Sequence, residues 1–518
     1  MGSARIVVRL RPTYNRLDMP KNPVGTMKFV LFGVFLTASA CTAPQYDQEV
    51  RLILPDNQDP FEGVGLLDAM VRNPNGAGAI SRAIVASGEE VLLVDVNIAD
   101  DAILELVGLQ EDLFGGVSLT AVSGGRSMPS VMGVNAPAVN LYFGRYERLG
   151  RAPAILNTAR AQASAISLGD RIVIAGGRDV SNGPALQSTE ILHLGQSDDA
   201  WAWIEGPPLP GPRVYGAAVE LPETAGDRAG WMAIVGGNED ANSGVFADRL
   251  NTIALVPKDG EVPFLSDVIL SASRESPTAT VMGDGSILIC GGLENTGTWF
   301  ALRSCELWDP VTDTSTTGPE MLQPRARHAA ARLLDGSVLV SGGSPSSGGL
   351  QDGVAKVELL RVGEPSWIDL ADMAQPRFQH TATTLRDGRV LLAGGFYADN
   401  SGPVMQMIPL DTVEIVDTEA GTIAELPNVM NRARADHAAI LLGDGSVLLC
   451  GGYDQNQRLD DCERFDPATE QFTAPIPLDG AGRSGMTAVQ LPIGAVALIG
   501  GTSNTTAFID ETLILPMR

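Results

Sequence analysis

A pair of glycines recurs down most of this chain at a nearly constant spacing, and that spacing leaves few folds open. The pairs are Gly176-Gly177, Gly236-Gly237, Gly291-Gly292, Gly342-Gly343, Gly394-Gly395, Gly451-Gly452 and Gly500-Gly501, roughly fifty residues apart. The fourth copy shows the unit in full. An apolar run from His328 to Leu334 meets Asp335-Gly336, and Ser337-Val338-Leu339-Val340-Ser341 leads to Gly342-Gly343. A polar loop follows, then Val357-Glu358-Leu359-Leu360 and Trp367-Ile368-Asp369. Two short apolar runs joined by Asp-Gly read as a β-hairpin, because Asp-Gly accepts the positive φ of a tight turn. Gly-Gly ends the second run, where the backbone must turn sharply or a side chain would not fit. The unit is therefore a four-stranded antiparallel meander. An Arg precedes the first strand of every copy: Arg160, Arg213, Arg274, Arg325, Arg377, Arg434 and Arg483. A Glu opens the third strand in six of the seven: Glu190, Glu306, Glu358, Glu414, Glu463 and Glu511.

Arg, Asp-Gly, Gly-Gly and Glu at this period resemble the kelch repeat, over roughly Val139 to the C-terminus. The resemblance is specific for fold and nearly silent on function. It departs from the pattern in two places. The aromatic two residues after the Glu is present only as Trp308 and Phe465, and the second copy, around Asn251 to Leu255, lacks the Glu. The fold class expected is all-β: a seven-bladed kelch-like β-propeller preceded by a small, immunoglobulin-like β-sandwich. The last copy ends with a third strand, Glu511-Thr512-Leu513-Ile514-Leu515. Tyr146-Glu147-Arg148-Leu149 reads like the fourth strand of other copies, so the segment from Tyr142 to Leu149 is expected to complete the blade built from Met486 to Leu515 and close the ring.

The chain has 518 residues, 44% of them hydrophobic, with 58 Gly and 33 Pro, which suits a large turn-rich β domain. Its net charge of −26 argues against nucleic acid bound through a basic patch. A solvated surface accounts for the acidity more simply than an acidic binding site.

Three segments are expected: 1–40, an upstream extension and signal peptide; 41–138, an anchor cysteine, linker and small β-sandwich; and 139–518, the propeller. Met27 and Lys28 begin an export signal with an apolar core from Phe29 to Leu36 and a cleavage region Ala38-Ser39-Ala40-Cys41. The segment is too short for a membrane span. It resembles a bacterial lipoprotein signal, which implies lipidation of Cys41, although Ala38 stands where that motif usually has Leu. Ordinary cleavage at the same bond would leave a secreted soluble protein. Of five cysteines, Cys290 and Cys450 sit just before a Gly-Gly, and Cys305 and Cys462 just before a third-strand Glu. Neighbouring antiparallel strands bring such residues together, so Cys290–Cys305 and Cys450–Cys462 are expected disulfides with Cys41 left over. Between Cys41 and the repeats, strand patterns appear around Val50–Leu54, Glu90–Val94, Ile103–Leu106, Val117–Val122 and Val139–Phe143.

Kelch propellers include copper oxidases resembling galactose oxidase. That family uses two His, two Tyr and a Cys cross-linked to one Tyr, with one ligand pair as a Tyr-His dipeptide. Here none of the seven Tyr adjoins any of the four His, and the propeller cysteines are assigned to disulfides. His328, His380 and His437 each stand three residues after a repeat Arg (Arg325, Arg377 and Arg434) and are expected at one arc of the channel mouth. Three imidazoles could form an open metal site; the competing reading is blade packing, with each His bonded to its neighbour's backbone. These six residues are the binding-face candidates, with no catalytic residue, metal ligand or cofactor assigned. The function expected is a non-enzymatic binding or scaffold lipoprotein of the bacterial envelope, at the outer membrane or cell surface, monomeric, recognising a protein or glycan. The alternative is a secreted metalloenzyme with a metal at the channel mouth.

Overall fold

The computed structural model describes nearly all of residues 141–516, apart from a few single positions and short loop pieces that include 195–200, 240–248, 296–298, 346–352 and 402–404. Before residue 141 it describes a set of strands and little of their connections. The export signal and Cys41 lie outside the described residues.

The repeats fold as seven blades, each on a four-stranded antiparallel path. The fourth blade runs Ala329–Arg332, Val338–Ser341, Val357–Leu360 and Ile368–Asp369 from the inside outward. The second strands, such as Val338–Ser341 and Val390–Ala393, are buried along their whole length, because both faces of a blade pack against neighbours. The apolar core is accordingly divided into seven clusters, one in each seam between adjacent blades. In the hairpin at Asp335-Gly336 only the glycine takes positive φ, 84°, while the Asp335 carboxylate accepts the Ser337 N–H at 2.9 Å.

The ring closes as expected in kind and a few residues later than expected in place. Gly150–Arg151 pairs with Leu513 and Ile514 as the outer strand of the seventh blade, and Leu149 is buried among Leu498, Leu513 and Leu515. Val139–Tyr142, read both as a strand ahead of the repeats and as the start of the propeller segment, pairs in parallel with Gln45–Ile53, and Gly144–Arg145, expected within the closing strand, pairs with Leu119–Arg126. A two-residue strand carries no alternation, so its position was not readable.

Ahead of the ring the described strands form two sheets, one containing the parallel pairs of Gln45–Ile53 and one antiparallel. All five strand patterns expected there are present. Four strands were missed: Ala4–Pro12, in the segment read as an upstream extension, Leu66–Arg72, Ala79–Ala86 and the two-residue Ser130–Val131. The pairing does not establish an immunoglobulin-like topology. Tyr142 joins this unit to the ring by stacking on Trp201, centroids 5.0 Å apart, in the seam between blades seven and one.

Both expected disulfides are formed, Cys290–Cys305 and Cys450–Cys462. In each, the cysteines are directly opposed partners in neighbouring strands. Replacing either pair with serine is expected to lower stability by about 2–3 kcal/mol, since the closed loops are short. Equilibrium denaturation of the oxidised protein and the two double variants measures the loss.

Candidate functional site

The repeat Arg does not face solvent. Six of the seven guanidinium side chains are fully buried and pair with the third-strand Glu of their own blade: Arg160 with Glu190, Arg274 with Glu306, Arg325 with Glu358, Arg377 with Glu414, Arg434 with Glu463 and Arg483 with Glu511. In five blades the second carboxylate oxygen accepts a backbone N–H from the segment leading to the Arg, as Leu322 donates to Glu358 at 2.7 Å. The second blade has Ala254 at the Glu position, and there Arg213 donates to Thr252 Oγ1 at 2.9 Å.

The Arg backbone does a second task. Its carbonyl accepts the N–H of the second glycine in the preceding blade, at 2.8–3.0 Å in all seven seams, the last being Gly501 to Arg160. A Cβ on the first glycine would overlap that carbonyl, and its φ is near +60°. Gly-Gly is therefore a seam device, needed for close approach as well as for the turn.

The three histidines belong to the same seams. Nε2 of His328 is hydrogen-bonded to Thr278 Oγ1 at 3.0 Å, that of His380 to Ser341 Oγ at 2.8 Å, and that of His437 to Thr381 Oγ1 at 3.0 Å. Each partner lies in the preceding blade. Burial, reinforced by the neighbouring Arg charge, pushes His328 and His437 down to about 3 and His380 well below its ordinary value. The binding-face assignment of Arg325, His328, Arg377, His380, Arg434 and His437 is thus corrected: all six are buried in the frame. The packing reading holds, with a hydroxyl as partner rather than backbone. Among the described residues no three His, Cys, Asp or Glu are grouped as metal ligands.

The channel mouth is made by the residue two positions after that Arg, just before the slot taken by His. These residues are Gln162, Tyr215, Ser276, Arg327, Gln379, Asp436 and Gly485, and all seven have left-handed φ between 51° and 63°. Their backbones are laced together: Gln162 N–H donates to Gly485, Ser276 to Tyr215, Gln379 to Arg327, Asp436 to Gln379 and Gly485 to Asp436. A left-handed φ at Tyr215 costs on the order of 1 kcal/mol or more, which the seam on both sides supports. All seven are half-buried, immediately before the inner strands that line the channel. The repeat pattern did not single them out, because what marks this slot is that its chemistry differs from blade to blade.

Charge collects here. Arg178, Arg327 and Arg458 act on Asp436, whose carboxyl is nevertheless pushed up to about 6 by burial. Arg178 lies over the Tyr215 ring, 5.5 Å from its centroid. Around the mouth stand the loops after Gly-Gly. Two are hairpins, Leu293–Asn295 with Trp299–Ala301 and Phe396–Asp399 with Gln406–Pro409. Of the acidic loop residues, Asp454, Asp460 and Asp461 are paired with Arg432. Asp240 and Asp352 lie outside the described residues.

A family model for the kelch motif matches residues 434–474, within the sixth blade. Adagio protein 3 of Arabidopsis thaliana is 26% identical over 317 residues, 58% of this chain and 48% of the plant protein. Adagio-like protein 3 of Oryza sativa subsp. japonica is 22% identical over 313 residues, 57% and 46% of the two chains. The chain therefore spans about half the length of the curated relatives it matches. Among solved structures, a novel fungal alcohol oxidase with catalytic diversity among the AA5 family, in complex with copper, is 16% identical with a TM-score of 0.50, covering 71% of this chain and 75% of its own. The structure of YjhT is 14% identical with a TM-score of 0.48, covering 62% and 98%. At these identities the likeness to the oxidase is one of fold alone. The chain thus carries a kelch motif in its sixth blade, with the same Arg and Gly-Gly repeated through a closed seven-bladed β-propeller, and it is similar to kelch-repeat proteins.

Proposed function

We propose that this protein is a non-enzymatic binding module of the bacterial cell envelope, anchored through a lipid on Cys41, and that its working surface is the face carrying the channel mouth and the loops after Gly-Gly. One observation carries the choice of face. The Arg and Gly-Gly positions repeat one chemistry, whereas the mouth slot holds Gln, Tyr, Ser, Arg, Gln, Asp and Gly in turn, and the loops around it differ in length and composition. Repetition builds the scaffold, and recognition belongs to what is not repeated. Two disulfides fit an oxidising compartment, in keeping with export. No helix among the described residues is long and apolar enough to cross a membrane. The ligand proposed is an envelope protein or glycan.

Replacing residues 396–407 with a short Gly-Ser loop is expected to abolish capture of a partner from envelope extract. Surface charges placed beside Asp335-Gly336, on the opposite face, should leave capture intact. The reverse result would put the working surface on the wrong face. Fatty-acid labelling that marks wild type and Cys41→Ser equally would refute the anchor.

A further inference from the structure

The mouth is uneven around its circumference, and its polar groups gather on one side. Asp436, Gly485 and Gln162 come from the sixth, seventh and first blades and are consecutive in the ring. Gly485 brings no side chain there, and the polar groups on either side come close to it: a Cβ on it would sit 3.3 Å from Gln162 Nε2 and 3.6 Å from Asp436 Oδ2. The buried Oε1 of Gln162 has no hydrogen-bond partner among the described residues. Arg458 reaches this side with its guanidinium fixed, Nε donating to Ser484 Oγ at 3.2 Å and Thr502 Oγ1 at 3.0 Å. Those bonds leave both terminal nitrogens of Arg458 without a described acceptor. Arg178 is held over Tyr215, and its buried Nε has no acceptor either. Arg327, across the channel, likewise makes no ion pair with a described residue.

Three guanidinium groups thus act on one carboxylate in a chain whose net charge is −26. Elsewhere in this ring, six of the seven buried repeat arginines are matched with a glutamate of their own blade. Here the match is missing, and burial strengthens the demand for a further negative group. We propose that the side of the mouth above Gly485 is a binding site for a carboxylate, held by Arg178 and Arg458, with Gln162 and Asp436 bonding to groups beside it. Guanidinium forks suit a planar carboxylate. Asp436 disfavours a doubly charged phosphate in the same seat. The carboxylate could belong to a free organic acid or to an acidic side chain of a protein partner. The inference rests on the proposed working face.

The test is titration of the full chain at low salt with N-acetylglutamate, N-acetylglutamine amide (a glutamine with no free carboxylate) and inorganic phosphate, followed by ligand-observed NMR. A blocked peptide, acetyl-Gly-Glu-Gly-amide, serves for the protein source. The glutamate is expected to bind and the glutamine not. Arg178→Met and Arg458→Met should each weaken binding roughly tenfold, as loss of a charge-assisted bidentate contact does. Asp436→Asn should strengthen it, because a like charge is removed. Tighter binding of the peptide than of the free acid would identify a protein source; the reverse would identify a small acid. Equal binding of glutamate and glutamine, preference for phosphate, or binding unchanged in both arginine variants overturns the proposal. Should Arg458→Met fail to fold, Arg178→Met and Asp436→Asn decide it. The loop 396–407 lies in the fifth blade, so its replacement should leave glutamate binding intact. Lost glutamate binding in wild type with loop-dependent capture retained would therefore defeat this proposal and not the choice of face.

Discussion

Glu358→Ala is expected to destabilise the protein by about 3–5 kcal/mol, the loss seen when one partner of a buried ion pair is removed. Arg325 and Glu358 are both fully buried, and the variant leaves the guanidinium with only the carbonyls of Gly342 and Lys356 at 2.9 and 3.1 Å. It also orphans the Leu322 N–H. The equivalent change in the fifth blade, Glu414→Ala, should cost less by about 1 kcal/mol, the worth of one hydrogen bond. There Thr412 Oγ1 remains as an acceptor for Arg377 at 3.1 Å. The second blade already lives with that arrangement, Thr252 serving Arg213 opposite Ala254, and burial lowers Arg213 to about 10, still charged at neutral pH. Urea unfolding of the two variants checks both statements. Equal losses would mean that the hydroxyl contributes nothing and that the carboxylate's backbone contacts dominate.

Acidification is expected to destabilise the ring through its seam histidines. His328 and His437 titrate near 3 in the folded protein and near 6.5 when unfolded. Below the unfolded value the unfolded chain binds protons that the native one does not, so stability falls as pH drops from 6.5 toward 3. At pH 4.5 the penalty is about 2–3 kcal/mol for each of the two. His380 acts in the same direction. Asp436 acts in the opposite one: its folded pKa is raised to about 6, so it contributes stability present below about 4 and lost as pH rises through 6. A His328→Asn/His437→Asn double variant should therefore lose less stability than wild type between pH 7.5 and pH 4.5. Parallel pH profiles would show that these imidazoles protonate without unfolding.

The sequence made legible whatever is repeated. Seven Gly-Gly pairs announced seven blades, and matched slots in the third and sixth copies announced both disulfides. The same habit misplaced the histidines. They were read as channel residues because they share a slot near the start of the inner strand. The residue before each histidine turns the chain through a left-handed φ, which leaves that residue at the mouth and sends the histidine into the seam. Asp436 and His437 show the two destinations side by side. The residues now proposed to bind a ligand were passed over for the complementary reason: Gln162, Tyr215 and Asp436 share a position and no chemistry. Arg178 and Arg458 are brought to them by loops whose course no pattern records.

The seam that joins the first and last blades also governs how the protein can fold. Thr487 donates to the carbonyl of Ala163, 324 positions away, and Gly150–Arg151 must wait for Leu513 and Ile514 before it has a partner. During synthesis the middle blades can dock in order as they emerge, each on the one before. The seventh can form only when Thr512–Pro516 has been made, and until then the apolar faces meant for its two seams stay uncovered. Long-range pairing of this kind is slow, and exposed blade faces are prone to pair with other copies of the chain. The interval before closure is therefore when the protein is most exposed to aggregation, and slowing the chain's final strand lengthens that interval without altering a single contact of the finished ring.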